Sequence, residues 1–233
     1  LGIDSQIPHW KKKLKEIYIM IDITLKKSQL NQDLWILRLY GEKREGYFVE
    51  VGSTTGTNLS NTYLLEKGYD WDGICIDANP SQLEELKINR DCIALDSCIS
   101  SKSGEEVSFL VQSCYSGIET YTEKKDYPNE DGNIDYEKTI TLTTVTLDEV
   151  LRENDAPSFI EYISIDTEGS ELEVLKGIDF SSFSIGAFTI EHNNNQIQKE
   201  EIQNFLESKG YEKFTEVHWE DWYVLKDLYK HLI

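Results

Sequence analysis

Glu50, Asp77, Asp96, Asp166 and Glu191 share one placement: each closes a short apolar run, in YFVE, GICID, CIALD, YISID and FTIE. A fold alone has no need of five acids at such places. Gathered on one rim, they would suit a cationic ligand, a proton transfer or a hard metal ion. The first acid leads straight into a glycine turn, Glu50-Val51-Gly52-Ser53-Thr54-Thr55-Gly56. Strand formers fill 47–51, and Asn58, Leu59 and Ser60 read as the opening of a helix. Turns of this kind hold a nucleotide-like ligand against a helix N-terminus. A pyrophosphate is the wrong ligand here. Its GxGxxG loop needs glycine where Thr54 stands, and Glu50 would repel it.

S-adenosylmethionine (SAM) meets the pattern better, because it has no phosphate and carries a sulfonium and an α-ammonium. Glu50 suits that cation. The turn, with Gly52, Ser53, Thr54, Gly56 and Asn58, lets the methionine portion lie close to backbone. Asp77 is placed to accept both ribose hydroxyls, with Ala78 and Asn79 beside it. Asp96 and Ser97 are placed to meet the adenine amino group.

The elements that position these residues follow from periodicity. Strands are expected at 47–51, 74–77, 92–99, 107–111, 159–165 and 188–190, with helices between most of them. Thr146 and Glu149 form a capping-box pattern. Two extended pieces, 211–217 and 222–225, read as an antiparallel hairpin turning at Glu220–Asp221. Alternating strands and helices imply an α/β fold, a doubly wound Rossmann-like sheet whose ligands bind at the carboxyl ends of the strands. Ahead of it, residues 1–45 read as an N-terminal helical extension. Trp10, Leu14, Ile17, Tyr18 and Ile21 recur at helical spacing there, and a second helix covers about 32–39. Residues 46–233 form one domain. A polar stretch at 112–138 is long for a loop, and loops of that length are usually functional or disordered. Its tyrosines (Tyr115, Tyr121, Tyr127 and Tyr136) and acids suit sugar recognition, so it is expected to select the acceptor.

Composition narrows the partners. The chain has 233 residues, 23 Lys and Arg against 43 Asp and Glu, and a formal net charge of −20. That field repels nucleic-acid phosphates, so a nucleic-acid partner is not expected. Cys75, Cys92, Cys98 and Cys114 show no CxxC spacing and read as reduced, small apolar residues of a cytoplasmic protein. No apolar run approaches the roughly 20 residues of a membrane span, and no signal peptide is expected. The oligomeric state is not legible.

FVEVGSTTGTNLS, GICIDANPSQLEELKINR, SGIETY, TLDEVL, APSFIEYISIDTEGSELEVLKGIDF and FTIEHN together resemble the FkbM family of SAM-dependent methyltransferases. The likeness runs from about residue 46 to 225, and YISIDTEGSELEVLKG is its most specific part. Ser53 and Thr54 stand where Ala and Asn are commoner in that family. The resemblance implies a class I methyltransferase domain with a seven-stranded sheet, mostly parallel, whose last pair is antiparallel. It also implies methyl transfer to an oxygen, often a hydroxyl of a sugar, glycan or secondary metabolite.

For such a reaction Asp166, Glu168, Glu191 and His192 are the candidate catalytic residues. In one reading, a carboxylate or His192 removes the acceptor's hydroxyl proton. In the other, Asp166, Glu191 and Asn193 hold a divalent ion such as Mg²⁺ or Mn²⁺ that acidifies the hydroxyl. The metal-free base is favoured. Glu168 and Ser170 could equally cap the next helix. The rival to an enzyme is a non-catalytic, SAM- or nucleotide-binding interaction protein on the same fold.

Overall fold

The structure is a computed structural model and describes residues 23–122 and 138–229. The strands in chain order are β1 (Tyr47–Val51), β2 (Asp72–Ile76), β3 (Ile93–Leu95), β4 (Cys98–Ile99), β5 (Glu106–Val111), β6 (Gly117–Ile118), β7 (Lys138–Val145), β8 (Phe159–Ile165), β9 (Ser184–Glu191), β10 (Tyr211–Val217) and β11 (Glu220–Leu225). Seven of them make the main sheet, ordered β10-β11-β9-β8-β1-β2-β3. The pairs from β9 through β3 are parallel, and β11 pairs antiparallel with β9 and β10. This is the sheet expected from the sequence.

The central strands are apolar on both faces because helices cover both. Val49, Ile74, Ile163 and Phe188 meet helices α4 (Leu147–Glu153), α5 (Glu171–Lys176) and α6 (Gln196–Ser208). Phe48, Cys75, Tyr162, Ala187 and Trp222 meet α1 (Gln32–Leu39), α2 (Tyr63–Tyr69) and α3 (Leu83–Asn89). Helix α1 packs deeply into this second core. Its Trp35 ring lies 4.8 Å from that of Trp222 and 5.6 Å from that of Phe214. Just beyond the helix, the Tyr40 hydroxyl donates to the Glu161 carbonyl at 2.8 Å. Residues 32–40 thus share the core of the sheet domain. The expected helix through Trp10 and Ile21 lies outside the described residues.

Four details depart from the sequence reading. The run 92–99 is two strands: β3 stays in the main sheet, while β4 leaves it after the Asp96–Ser97 break. With β5, β6 and the unexpected β7, β4 builds a small second sheet, ordered β4-β7-β5-β6, over Cys98, Phe109 and Ile118. The helix after the glycine turn starts at Tyr63, not Asn58, because 60–62 turn inward to bind Glu50. The hairpin turns at His218–Trp219 instead of Glu220–Asp221. Both acids are buried at the start of β11. Glu220 accepts from Gln32 Nε2 (2.6 Å) and Trp222 Nε1 (3.0 Å), and Asp221 from Lys213 Nζ (3.2 Å). Thr146 does cap α4, accepting from Glu149 N at 3.2 Å, but Ser103 occupies the Glu149 carboxylate.

Candidate functional site

The turn after β1 is locked by geometry. Gly52 has φ +87°, and a Cβ there would stand 1.7 Å from the Asp166 carbonyl oxygen. Only glycine lets β1 and β8 run this close together at their ends. Gly52→Ala is therefore expected to lower the melting temperature and abolish cofactor binding together, measurable by thermal melts with and without S-adenosylhomocysteine (SAH). Gly56 (φ +76°) lies under Leu86 and Arg90, which a Cβ would meet at 2.6 and 2.7 Å. Asp77, at the end of β2, fastens the turn from the other side. Its two oxygens accept from Thr54 N (2.7 Å) and Asn79 N (2.8 Å). Burial raises its pKa, and those two N–H bonds oppose the shift. Each oxygen retains a further lone pair for another donor.

Above this turn lies a cavity of about 280 Å³. Four of the five strand-end acids line it: Glu50, Asp77, Asp166 and Glu191. So do Gly52, Ser53, Thr54, Asn58 and Glu168. The fifth acid does not join them. Asp96 is exposed, and Ser97 lines an adjoining slot of about 40 Å³ with Ala78, Phe109 and Ile118. The two spaces share Gly52, Asp77, Ser116 and Asp166. Asn79 is buried and lines neither. Its side chain accepts from Ser81 and donates to Ser116 Oγ at 3.3 Å.

Glu50 is more occupied than its sequence position suggests. Its carboxylate accepts from Asn61 N (2.5 Å), Thr62 Oγ1 (2.6 Å), Ser60 Oγ (2.8 Å) and Arg90 Nη1 (3.3 Å). Glu50 thereby holds the 60–62 segment as one cavity wall while itself lining the cavity. Two polar atoms, one of that wall and one of the turn, lack partners. Ser53 Oγ and Asn61 Oδ1 are buried without a hydrogen bond, and both residues line the cavity. Orphaned groups of this kind are costly unless a ligand meets them.

At the β8 and β9 ends, Asp166, Glu168 and Glu191 each place one carboxylate oxygen within 4.8 Å of the others. Asp166 and Glu191 hydrogen-bond to one another, and burial followed by the Glu191 charge pushes Asp166 well above the usual carboxylate range. Burial, then the charges of Glu168, Glu171 and Glu220, push Glu191 up to about 7, against the Asp166 hydrogen bond. Asn193 turns its amide N–H to Glu191 (3.0 Å) and Glu168 (3.4 Å). It is thus a donor to the cluster, and Glu168 takes its place in the candidate oxygen-ligand set.

His192 is corrected more sharply. Side chains alternate at the end of β9, so Glu191 faces the cavity and His192 does not line it. His192 is 2% exposed; its Nδ1 accepts from Asn194 N at 3.1 Å and its Nε2 lies 3.8 Å from Asp221 Oδ1. It is not placed to meet an acceptor. Ser170 stands at the N-cap of α5 without a side-chain cap bond, and Glu171, the first residue of the helix, reaches back to the loop before it, accepting from Thr167 N and Gly169 N at 3.0 Å each.

The start of the expected acceptor loop does reach the site: Ser113, Cys114, Tyr115 and Ser116 line the cavity on its opposite side. Sequence reasoning missed Trp219, which lines it from the β10–β11 turn. The Trp219 carbonyl accepts from His192 N at 2.9 Å, which ties the turn to the end of β9. An aromatic residue at a hairpin tip, where glycine or asparagine is usual, was the available signal. Of the expected acceptor loop, 123–137 with Tyr127 and Tyr136 lie outside the described residues.

The methyltransferase FkbM domain model matches residues 50–213, from the first strand-end acid into β10. The chain belongs to the FkbM methyltransferase family. No curated protein matches the sequence significantly. Among solved structures, a METTL16 methyltransferase domain is similar with TM-score 0.47 and 12% identity, over 84% of this chain and 65% of that one. TrmK from M. capricolum, solved with SAH, gives TM-score 0.42 and 12% identity over 82% and 66%. A precorrin-6y C5,15-methyltransferase from Geobacter metallireducens gives 0.42 and 11% over 88% and 90%. The chain thus spans just under two thirds of the first two. The seven-stranded sheet and its C-terminal antiparallel strands agree with the FkbM assignment. No described helix is long and apolar enough to cross a membrane.

Proposed function

We propose that this FkbM-family chain is a SAM-dependent O-methyltransferase acting on a hydroxyl of an uncharged sugar, glycan or small metabolite. One observation carries the reading. A single cavity joins the Gly52–Asp77 turn to the Asp166–Glu168–Glu191 carboxyls. The residues fit SAM: Asp77 retains acceptor capacity for ribose hydroxyls, and Ser53 Oγ and Asn61 Oδ1 await partners beside the turn. Ser97 and Ala78, with Phe109 and Ile118, would flank the adenine in the smaller slot. Bound there, SAM supplies an electrophilic methyl group on its sulfonium.

The chain does the rest. Neighbouring strands lie about 4.8 Å apart. With β8 and β1 between them, the ends of β9 and β2 are about 14 Å apart, which separates acceptor from ribose. Trp219 and Tyr115 then form an acceptor wall, apolar enough for a C–H face. Glu191 accepts the hydroxyl proton, and Asp166 positions it. The ring of carboxylates disfavours a phosphorylated acceptor. A metal-assisted route is the second reading. It is favoured by the three converging oxygens of Asp166, Glu168 and Glu191, which are hard ligands of the kind Mg²⁺ or Mn²⁺ takes.

Calorimetry tests the cofactor. SAM and SAH are expected to bind one per chain, and NAD and ATP not to bind. Asp77→Ala is expected to weaken SAH by at least about 1.5 kcal/mol, from lost charge-assisted hydrogen bonds. An unchanged SAH affinity in that variant would remove Asp77 from the ribose site. Methyl transfer from labelled SAM to a panel of neutral glycosides and alcohols tests the acceptor class, with RNA as the opposing outcome.

A further inference from the structure

Beneath the cofactor cavity, and used by no step above, two thiols touch. Cys92 Sγ lies 3.6 Å from Cys75 Sγ, and Cys75 Sγ lies 3.8 Å from Glu50 Oε2. Cys75 sits in β2 in register with Glu50 and is fully buried. Cys92 is half-buried, in the turn between α3 and β3. That turn begins with Arg90, whose guanidinium binds Glu50, Ser60, Thr62 and Glu66. The same segment therefore presents a thiol and anchors the wall that carries Ser60 and Asn61.

We propose that Cys75 and Cys92 form a reversible disulfide that closes down the cofactor site. This rests on the SAM reading for the identity of the ligand. An S–S bond of about 2 Å requires the sulfurs to approach by about 1.5 Å. Strand β2 is fixed between β1 and β3, so the Arg90–Cys92 turn is the part that moves. Drawing it in shifts Arg90 against Glu50 and disturbs the bonds holding 60–62. The oxidant is a low-molecular-weight disulfide. The Cys92 thiolate attacks one of its sulfurs, breaking that S–S bond and releasing one thiol. Cys75 then attacks the Cys92 sulfur, breaks the mixed disulfide and releases the second thiol. Two protein thiols are oxidised, one external disulfide is reduced to two thiols, and each protein proton ends on a released thiol.

The test uses the full chain with Cys114→Ser, because Cys114 lines the cavity and is exposed. Protein is incubated with oxidised glutathione, mapped by peptide mass and titrated with SAH before and after dithiothreitol. A Cys75–Cys92 peptide link and a loss of SAH affinity of about tenfold, both reversed by dithiothreitol, are expected. Adding Cys92→Ser should leave SAH affinity insensitive to the oxidant. No link between these residues, a link without loss of affinity, or a loss that persists in Cys92→Ser would each overturn the switch. Reduced protein that took no SAH would overturn the cofactor reading instead, with the peptide map still scoring the disulfide.

Discussion

Turnover is expected to rise along a single limb centred near pH 7 and to collapse when Glu191 is replaced by glutamine. Burial comes first among the causes that push the Glu191 carboxyl up to about 7, and the surrounding charges of Glu168, Glu171 and Glu220 add to it. A raised carboxyl is protonated, and useless as a base, below that pH. As pH rises through the value it ionises and can take the acceptor's proton, so activity is gained on the alkaline side. Glu191→Gln should remove the limb and cost about 10²–10⁴ in kcat, the usual worth of a general base. SAH affinity should stay within a few-fold, because the ribose contacts lie two strands beyond β8, at the end of β2. A Glu191→Gln enzyme that kept more than a tenth of its turnover would end the base assignment. The same assay decides the metal question. Activity abolished by EDTA and restored by Mg²⁺ or Mn²⁺ would transfer Asp166, Glu168 and Glu191 from proton transfer to coordination. Activity indifferent to EDTA would leave Glu191 as base.

The parts of this site that were legible from sequence were those fixed by one strand and its exit. The apolar runs ending in Glu50, Asp77, Asp166 and Glu191 gave the main sheet, and parallel topology then put all four acids on one rim. Asp96 failed because β3 is short and the chain turns away to another sheet after Asp96. That second sheet was hidden in KTITLTTV. Its threonines are β-branched strand formers but read as polar, and it follows a long polar stretch. His192 failed for want of one residue of phase: adjacent positions on a strand face opposite ways. Glu220 and Asp221 looked like turn formers because burial in the sheet leaves no local mark, and the Gln32 that binds Glu220 lies 188 residues away. Glu50 shows the same limit. Its position was legible, but its oxygen and nitrogen donors come from 60–62 and from Arg90, and only the fold brings that last group within reach.

Arg90 should accordingly be among the most costly residues to remove. Its side chain is fully buried, 2.6 Å from Glu66 and 3.3 Å from Glu50, and it donates to Thr62 Oγ1 at 2.9 Å. Arg90→Met keeps the apolar stem but leaves the buried Glu50 carboxylate without a cation and Glu66 with Lys67 alone. Breaking such a pair from one side typically costs about 3–5 kcal/mol, or about 10 °C in melting temperature for a domain of this size. Burial would raise the Glu66 pKa, yet Arg90, Lys67 and the Asp91 N–H together hold it below its ordinary value. A depressed carboxyl contributes stability above its unfolded value that is lost as pH falls through the folded one. Wild type and Arg90→Met should therefore differ most near neutrality and converge in acid. Adding Glu66→Gln to Arg90→Met should recover part of the loss, because the buried carboxylate that lost its guanidinium partner disappears with it. A melting temperature within about 2 °C of wild type would show that water or Lys67 replaces the guanidinium, and that Glu50 needs no cation to hold Ser60 and Asn61 against the cofactor.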